Sequence, residues 1–594
     1  MRRGWPALVI ALVLLAGCTG IPTGSAPQVI RSVDRNDGAA SDLPNLAPVD
    51  GAGPHDIVTG FLAAVARSPA AGHSAARQFL TSSAARKWQD DTTTVVNSHQ
   101  VGAEILGRPT GGRNQSDAGV VTIEVTARPT AQIDASGLFS PVLTGTGAGD
   151  SETFSYKLTD VAGEWRIDQL PPGVLIDKAS FGTYQPRQLY FFDSTERILV
   201  PDVRYSPLSG QALASWLLTQ LLAGPRPELL QSVTTEVPEQ VSKFSVLDGD
   251  PIVVELPGTA QLDDSSRDHL AAQLAYTLSP SQYSRGLRLT DSGHTVPIPS
   301  ASGSTFHTTD FPALNPDLST RTFKSYFLRD GAVIDGQSNT PVAGFLGQSA
   351  RDLTSIALER GPSDALQVAG VSNGSLMLGS GTALNRVALP AGQLSRPEWR
   401  PNSGEVWIGV GNKGAIYRVR LGQSPVLVQV TSPLGGGLPG RVLALRFSPD
   451  GARLAAVVRG ANGIPAVWIG SVTVASNTDI RINAFEPITP ALLSVTDVAW
   501  GDASVLYLIA STPTIDDSVY EGSSDGSGLD AGPMTTVGLS GVPTSITAAP
   551  GQPPLVSAAD SIQSFPHASS SWVNYPNSST SLSTPGINPV YCLQ

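Results

Sequence analysis

The sequence predicts a multidomain chain in which two α+β domains precede an all-β domain made of repeated sheets, a propeller. Three observations predict it. A helical apolar period followed by alternating strands occurs twice before residue 300. From Val342 onward the helical period stops, and short apolar runs alternate with Gly, Pro, Ser and Asn. Within that stretch Leu358, Trp399, Phe447, Trp500 and Ala548 mark a loose repeat of ~40 to 50 residues, the length of a four-stranded propeller blade.

The chain opens on the basic Met1-Arg2-Arg3 and an apolar run from Trp5 to Ala16, shorter than the ~20 residues that span a bilayer. It reads as a signal peptide over residues 1–17. The run ends in Leu15-Ala16-Gly17-Cys18, which resembles the bacterial lipobox. That resemblance implies a diacylglyceryl group on the Cys18 thiol and acyl chains such as palmitate. At ~0.8 kcal/mol per buried methylene, two or three chains hold a protein stably on a membrane. General secretion is the expected route, because no further part of a twin-arginine signal surrounds Arg2-Arg3. With Cys18 lipidated, the second cysteine, Cys592, has no partner for an internal disulfide. Cys592 reads as a small buried hydrophobe in a terminal strand that completes the first blade.

Residues 18–53 are the lipidated Cys and a tether rich in Gly, Pro, Ser and Asp, with no sustained apolar period. Its random-coil reach is ~30 Å. A first domain spans 54–180. Ile57, Val58, Phe61, Leu62 and Val65 recur at helical spacing, and a second helical stretch runs from Ser74 to Leu80. Strands follow around Val120 to Val125, Phe154 to Leu158 and Glu164 to Ile167. Helices first and antiparallel strands after resemble a nuclear-transport-factor-like domain.

A second domain spans 187–300. Leu189-Tyr190-Phe191-Phe192 is a buried strand, and Asp202 to Pro207 leads into a helix from Gly210 to Ala223, stopped by Gly224-Pro225. Ser245 to Leu247 and Ile252 to Leu256 pair around Asp248-Gly249-Asp250. A helix from Ser265 to Leu278 is capped by Asp263 or Asp264. The helix ending in Leu221-Leu222-Ala223-Gly224-Pro225, the Val/Ile strand, the helix with Gln273-Leu274-Ala275-Tyr276-Thr277-Leu278 and the run from Leu287 to Pro297 resemble a GerMN domain. In that family these residues are scaffold. The propeller is assigned to 342–594, with about five or six blades. Its clearest unit, Phe447-Ser448-Pro449-Asp450-Gly451, resembles the strand-turn-strand signature of WD-repeat and TolB-like propellers.

Chemistry is sparse. A net charge of −12 excludes the basic stripe that nucleic acid needs. The seven His, at 55, 73, 99, 269, 294, 307 and 567, include no i, i+4 pair, so no metal ligand set is expected. No nucleophile elbow, Ser-x-x-Lys box or Walker loop is present, and the glycine-rich Leu434 to Leu438 lacks the Lys that phosphate binding requires. The pairs Asp90-Asp91, Asp263-Asp264 and Asp516-Asp517 are adjacent residues, which do not face one another, and read as turn or cap residues. No catalytic residue and no cofactor is expected, and the loop-lined faces of a propeller point to binding.

Lipobox, tether, two α+β domains and propeller, in that order, resemble the actinobacterial LpqB lipoprotein family. The resemblance implies a partner, the extracytoplasmic domain of the sensor histidine kinase MtrB, whose signalling to the regulator MtrA controls cell envelope and division. Two other classes stay open: a lipoprotein that holds a peptidoglycan fragment or other envelope ligand, and a wall hydrolase.

Overall fold

The structure, a computed structural model, describes residues 46–593 apart from 68–71, 107–119, 143–150, 239–240, 242, 279–284, 349–351, 362–364, 381–382, 433–436, 477, 490–492, 567 and 577–584. Cys18, the signal peptide and most of the tether lie outside the described residues, as do His567 and most of the run from Leu434 to Leu438.

In the first domain α1 (Pro54–Arg67) buries Ile57, Val58, Phe61, Leu62 and Val65, the stripe its period predicts. Of the stretch predicted from Ser74 to Leu80 only α2 (Ser74–Arg77) is helical, because Leu80 bridges to Ile167 instead, and a further short helix, α3 (Ser82–Lys87), follows. The Thr81 hydroxyl caps α3 by accepting from the Ala84 amide at 3.1 Å. Six strands follow: β1 (Thr93–Leu106), β2 (Val120–Ile133), β3 (Phe139–Pro141), β4 (Glu152–Val161), β5 (Glu164–Gln169) and β6 (Val174–Asp177). They form one sheet of order β5-β4-β2-β1-β6, with β3 added on β2. Strand β1 escapes sequence reading because Thr, Asn, Ser, His and Gln interrupt its apolar positions. Phe61 closes the core against Trp88 and Tyr156, with ring centroids at 5.3 and 5.9 Å.

After α4 (Lys178–Phe181) the second domain begins with β7 (Gln185–Asp193) and β8 (Leu199–Ser206), joined by β9 (Val233–Thr234) in the order β8-β7-β9. Asp202 to Pro207, expected to lead into a helix, instead belong up to Ser206 to β8, all of whose residues are buried. Asp202 and Arg204 disguised the strand, and they are tolerated inside because they pair with each other. Helix α5 (Gly210–Ala223) packs on a second sheet of β10 (Ser245–Leu247), β11 (Ile252–Glu255), β12 (Leu287–Asp291) and β13 (His294–Thr295), with β11 and β12 parallel. The crossover between them carries α6 (Asp264–Leu278), whose first turn is held by Asp263 accepting from the Ser266 amide at 2.9 Å.

Among the described residues, six sheets then form a ring. It starts earlier than Val342: Phe323–Arg329, Ala332–Asp335 and Thr340–Pro341 are the outer strands of the first blade, and the C-terminal Ile587–Leu593 supplies its inner strand. The first outer strands carry Lys, Arg and Asp and give no reference aromatic at the repeat position, because that position lies at the other end of the chain. The remaining inner strands are Leu353–Arg360, Glu398–Arg400, Arg441–Phe447, Ser494–Trp500 and Pro543–Ala549. Each inner strand lies against the next, and Ile587–Leu593 touches both Leu353–Arg360 and Pro543–Ala549, which closes the circle. Cys592 is buried in the apolar core between the first two blades, and its burial pushes the thiol up to about 12.

Candidate functional site

The repeat positions counted in the sequence all fall on inner strands, and the fold explains why two of them are tryptophan. The Trp399 indole N–H donates to the Ala357 carbonyl at 3.1 Å, and that of Trp500 to the Arg446 carbonyl at 3.0 Å. Each bolts its inner strand to that of the preceding blade. A buried indole needs an acceptor, and an inner strand has a free edge to offer one.

Leu358, Trp399, Phe447, Trp500, Ala548 and Tyr591, one residue from each blade, surround a cavity of about 680 Å³. It lies where the inner strands turn outward, at Pro401 to Gly404, Pro449 and Pro550. The Ser448 to Gly451 turn shows how such a corner is built. The Asp450 carboxylate accepts from the Ala452 amide at 2.9 Å, and Gly451 takes a φ of 73°, the left-handed region that side chains avoid. Leu318 and Arg321, from the segment joining the second domain to the ring, and Phe323, at the start of the first blade, also line the cavity. A neighbouring cavity of about 880 Å³ shares Leu318, Ala549 and Pro550 and reaches Tyr190, Tyr276 and Thr308 of the second domain.

Charge is concentrated here. Arg396 pairs with Asp497 at 2.5 Å, Arg446 lies 3.7 Å from Asp497 and 3.6 Å from Glu398, and Asp497 also accepts from the Ile546 amide at 2.9 Å. The charges run from the third blade to the fifth, and the Ile546 amide extends the network to the sixth. Desolvation raises the Glu398 carboxyl to about 7 in spite of Arg446. Glu359, on the second blade, is raised to about 7 by desolvation, and its carboxylate has neither a hydrogen bond nor an ion pair among the described residues. Two acids near half-ionisation beside aromatic walls can accept hydrogen bonds from a cationic or hydroxyl-bearing ligand. Sequence reasoning passed over Glu359, Glu398, Arg396, Arg446 and Asp497. A faint signal was available in Pro397-Glu398-Trp399 and Leu445-Arg446-Phe447, where charge flanks an inner-strand aromatic.

A second polar centre joins the three domains on β8. Arg204 forms a two-pronged pair with Asp202, at 3.1 and 2.8 Å, and the Arg226 amide donates to the same carboxylate at 2.8 Å. Toward the first domain, Arg204 donates to the Ser136 carbonyl at 3.2 Å, and the Tyr205 amide to that of Gly137 at 2.7 Å. Toward the ring, Arg453 donates to the Pro201 carbonyl at 2.5 Å, and the Tyr205 hydroxyl meets that of Ser527. Lys178 pairs with Asp530 at 3.0 Å.

The acid pairs singled out in the sequence do local work. Asp90 holds Arg77 at 2.8 Å and the His73 ring at 3.1 Å, and burial lowers the His73 pKa despite this contact. Asp517 accepts from the Thr496 hydroxyl at 2.9 Å. The described residues bring metal-capable side chains together on the second domain, at Glu196, Glu236 and His269. No described helix is long and apolar enough to cross a membrane.

Residues 47–182 match the family described as the lipoprotein LpqB N-terminal domain, and residues 331–591 the lipoprotein LpqB beta-propeller domain. Lipoprotein LpqB of Mycobacterium ulcerans (strain Agy99) is 32% identical over 487 residues, covering 77% of this chain and 79% of that protein. Lipoprotein LpqB of Rhodococcus jostii (strain RHA1) is 29% identical over 566 residues, covering 89% and 88%. Among solved structures, TolB from Acinetobacter baumannii aligns with a TM-score of 0.30 at 14% identity, over 48% of this chain and 69% of that one.

Proposed function

The chain belongs to the LpqB lipoprotein family, and from that premise we propose that it is a binding protein, anchored through Cys18 to the outer face of the cell membrane, that modulates a sensor histidine kinase. The observation that carries this reading is the family match at both ends of the chain, in the order lipobox, α+β domains and ring. The partner is the kinase's extracytoplasmic domain, and the process is control of envelope and division through a two-component system. The docked domains suit this role, because contacts through β8 join all three domains.

A modulator must bind the kinase differently in its two signalling states, since equal affinity for both shifts nothing. Weak affinity suffices. Both proteins sit on one membrane, and tethering raises the effective concentration into a range where a micromolar contact is largely occupied. Cells carrying the wild-type protein, a soluble secreted form in which residues 1–18 are replaced by a cleavable signal without a lipobox, or neither are compared for response-regulator output, together with crosslinking of the kinase. Crosslinking to the kinase, with output lost in the null and impaired without lipid, supports the proposal. Unchanged output in the null removes the accessory role, and full regulation by the lipid-free form removes the tethering.

A second reading is favoured by the ring cavity with its unpaired Glu359: binding of an envelope ligand such as a peptidoglycan fragment. Titration of the protein with soluble muropeptides, reading tryptophan fluorescence from Trp399 and Trp500, tests it. A signal abolished by Glu359→Gln supports cavity binding, and no saturable signal rejects it.

A further inference from the structure

Three side chains of the second domain with metal-ligating atoms converge from three elements. Glu196 lies in the turn between β7 and β8, Glu236 follows β9, and His269 stands on α6; one ligand atom from each lies within 4.8 Å of the other two. We propose that Glu196, Glu236 and His269 form a binding site for a divalent transition metal of the zinc type, which ties the β7–β8 turn to α6.

The donor set sets the class of ion. Calcium and magnesium favour shells of six or more oxygens, whereas one imidazole nitrogen with two carboxylates suits zinc and its neighbours. Zinc bonds to these groups are ~2.0–2.2 Å long, so ligand atoms in a tetrahedral shell stand ~3.4 Å apart. Side-chain rotations that move these atoms by about 1 Å close the present triangle and leave a fourth position for water.

The three groups have their lone pairs unspent. Neither the Glu196 nor the Glu236 carboxylate accepts a hydrogen bond among the described residues, and the contact of His269 Nδ1 with Glu236 Oε1, at 3.8 Å, is too long for one. Two carboxylates and an imidazole therefore face one another. The frame around them is fixed. Gln273, one helical turn beyond His269 and fully buried, accepts from the Thr235 hydroxyl at 3.1 Å and the Glu236 amide at 3.4 Å, and donates to the Tyr190 carbonyl at 2.7 Å. The His269 ring packs on Phe192 with centroids 4.8 Å apart. The backbones of β7, the loop after β9 and α6 are thus held together by one amide side chain, and the ligand atoms alone need to move. The β7–β8 turn also begins at Asp193, whose charge bears on Arg400 and Asp450 in the corners of the ring. An ion at this site would stiffen the part of the second domain that faces those corners.

The test uses the mature full-length protein in detergent, stripped with chelator and titrated with ZnCl2, and in separate arms MnCl2, CaCl2 and MgCl2. Calorimetry reads stoichiometry and affinity, and thermal unfolding reads stabilisation. One zinc per chain at micromolar affinity, with a raised unfolding midpoint, is expected. Binding should weaken at least about tenfold in Glu196→Gln and in His269→Gln, and stay unchanged in the control His294→Gln. Glu196 is exposed, so its variant keeps the fold and decides the matter alone if His269→Gln does not fold. Absence of saturation below about 100 µM zinc, equal affinity for calcium or magnesium, or binding that Glu196→Gln leaves intact would each overturn the proposal.

Discussion

The ring closes on itself in one way and is docked to the second domain in another. Closure is apolar and backbone-made: Ile587–Leu593 pairs with Phe323–Arg329, while Val590 and Cys592 enter a core with Tyr326, Leu328, Ile356 and Leu358. Docking is charged: Asp202, Arg204, Arg226 and Arg453 are all buried where β8 meets the ring, and Asp525 is buried beside them. Area removed from water holds the first contact, and it tolerates small changes of shape. Matched partners hold the second, and each buried charge there depends on its counterpart. The difference separates what makes the ring stable from what sets its position relative to the other domains.

The severest way to break the comparison is to remove the closing strand. Truncation after Asn588 deletes Pro589 to Gln594, frees the edge of Phe323–Arg329, empties the Cys592 position and removes the Tyr591 hydroxyl bond to the Pro553 carbonyl at 2.9 Å. A loss on the order of 5 kcal/mol or more is expected, with aggregation through the opened edge. Thermal unfolding with light scattering reads both, and an unchanged midpoint would mean that the ring does not depend on closure.

Docking is tested by Arg453→Met. The variant removes the bond to the Pro201 carbonyl and leaves Asp450 buried with the Ser448 hydroxyl and the Ala452 amide as its remaining partners. About 3 kcal/mol should be lost, as when one side of a buried pair is deleted. The loss should appear as separation of domains: calorimetry should resolve two transitions where the wild type unfolds in one, with the ring's own midpoint little changed. A single transition lowered as a whole would place Arg453 in the stability of the ring rather than in docking.

These contrasting junctions were unequally legible in the sequence. Apolar period predicts the buried stripe of α1 and, nearly to the residue, the bounds of α5 and α6; alternation predicts β4, and a continuous apolar run predicts β7, because each buries a face against a neighbour close in sequence. The last strand was readable from Val590-Tyr591-Cys592-Leu593, but its partner Phe323–Arg329 was not, since nothing local announces pairing across the whole length of the ring. The docking charges carry no such signal. A lone Asp202 or Arg453 looks solvated in one dimension, and only the fold shows that it is enclosed. The candidate site divides the same way: the wall positions Trp399, Phe447 and Trp500 were found by their period, whereas Glu359 and Glu398 owe their character to desolvation, which no spacing records.

That character makes a pH-dependent prediction inside the ring. A carboxyl whose folded pKa lies above its unfolded value holds more protons folded than unfolded. Its contribution is most favourable below about 4.5 and declines as pH rises to about 7. For Glu359 the ring should therefore lose stability across this window, and Glu359→Gln should remove that part of the slope. At pH 8 the variant should be more stable than wild type by about 1–2 kcal/mol, solvent screening included, and the gap should vanish near pH 4. Denaturant melts at the two pH values measure it. A constant gap, or none at pH 8, would show that Glu359 titrates as it does in water.

The smallest expected effect separates the blade-to-blade bolts from the wall they belong to. Trp399→Phe keeps an aromatic ring between Ala357 and Val406 but deletes the indole N–H that donates to the Ala357 carbonyl. That carbonyl lies on the free edge of an inner strand beside the cavity, where solvent replaces the lost donor, so the cost should stay near about 1 kcal/mol, plus a fraction for the smaller ring. Trp500→Phe makes the same change against the Arg446 carbonyl, two blades away. If the bolts act one interface at a time, the double variant should cost the sum of the single ones, within about 0.5 kcal/mol. A larger loss in the double variant would show that strain passes around the ring from the third blade to the fifth. The charge chain from Glu398 through Arg446 to Asp497 provides a route for it, and equilibrium melts of the four proteins decide between the two.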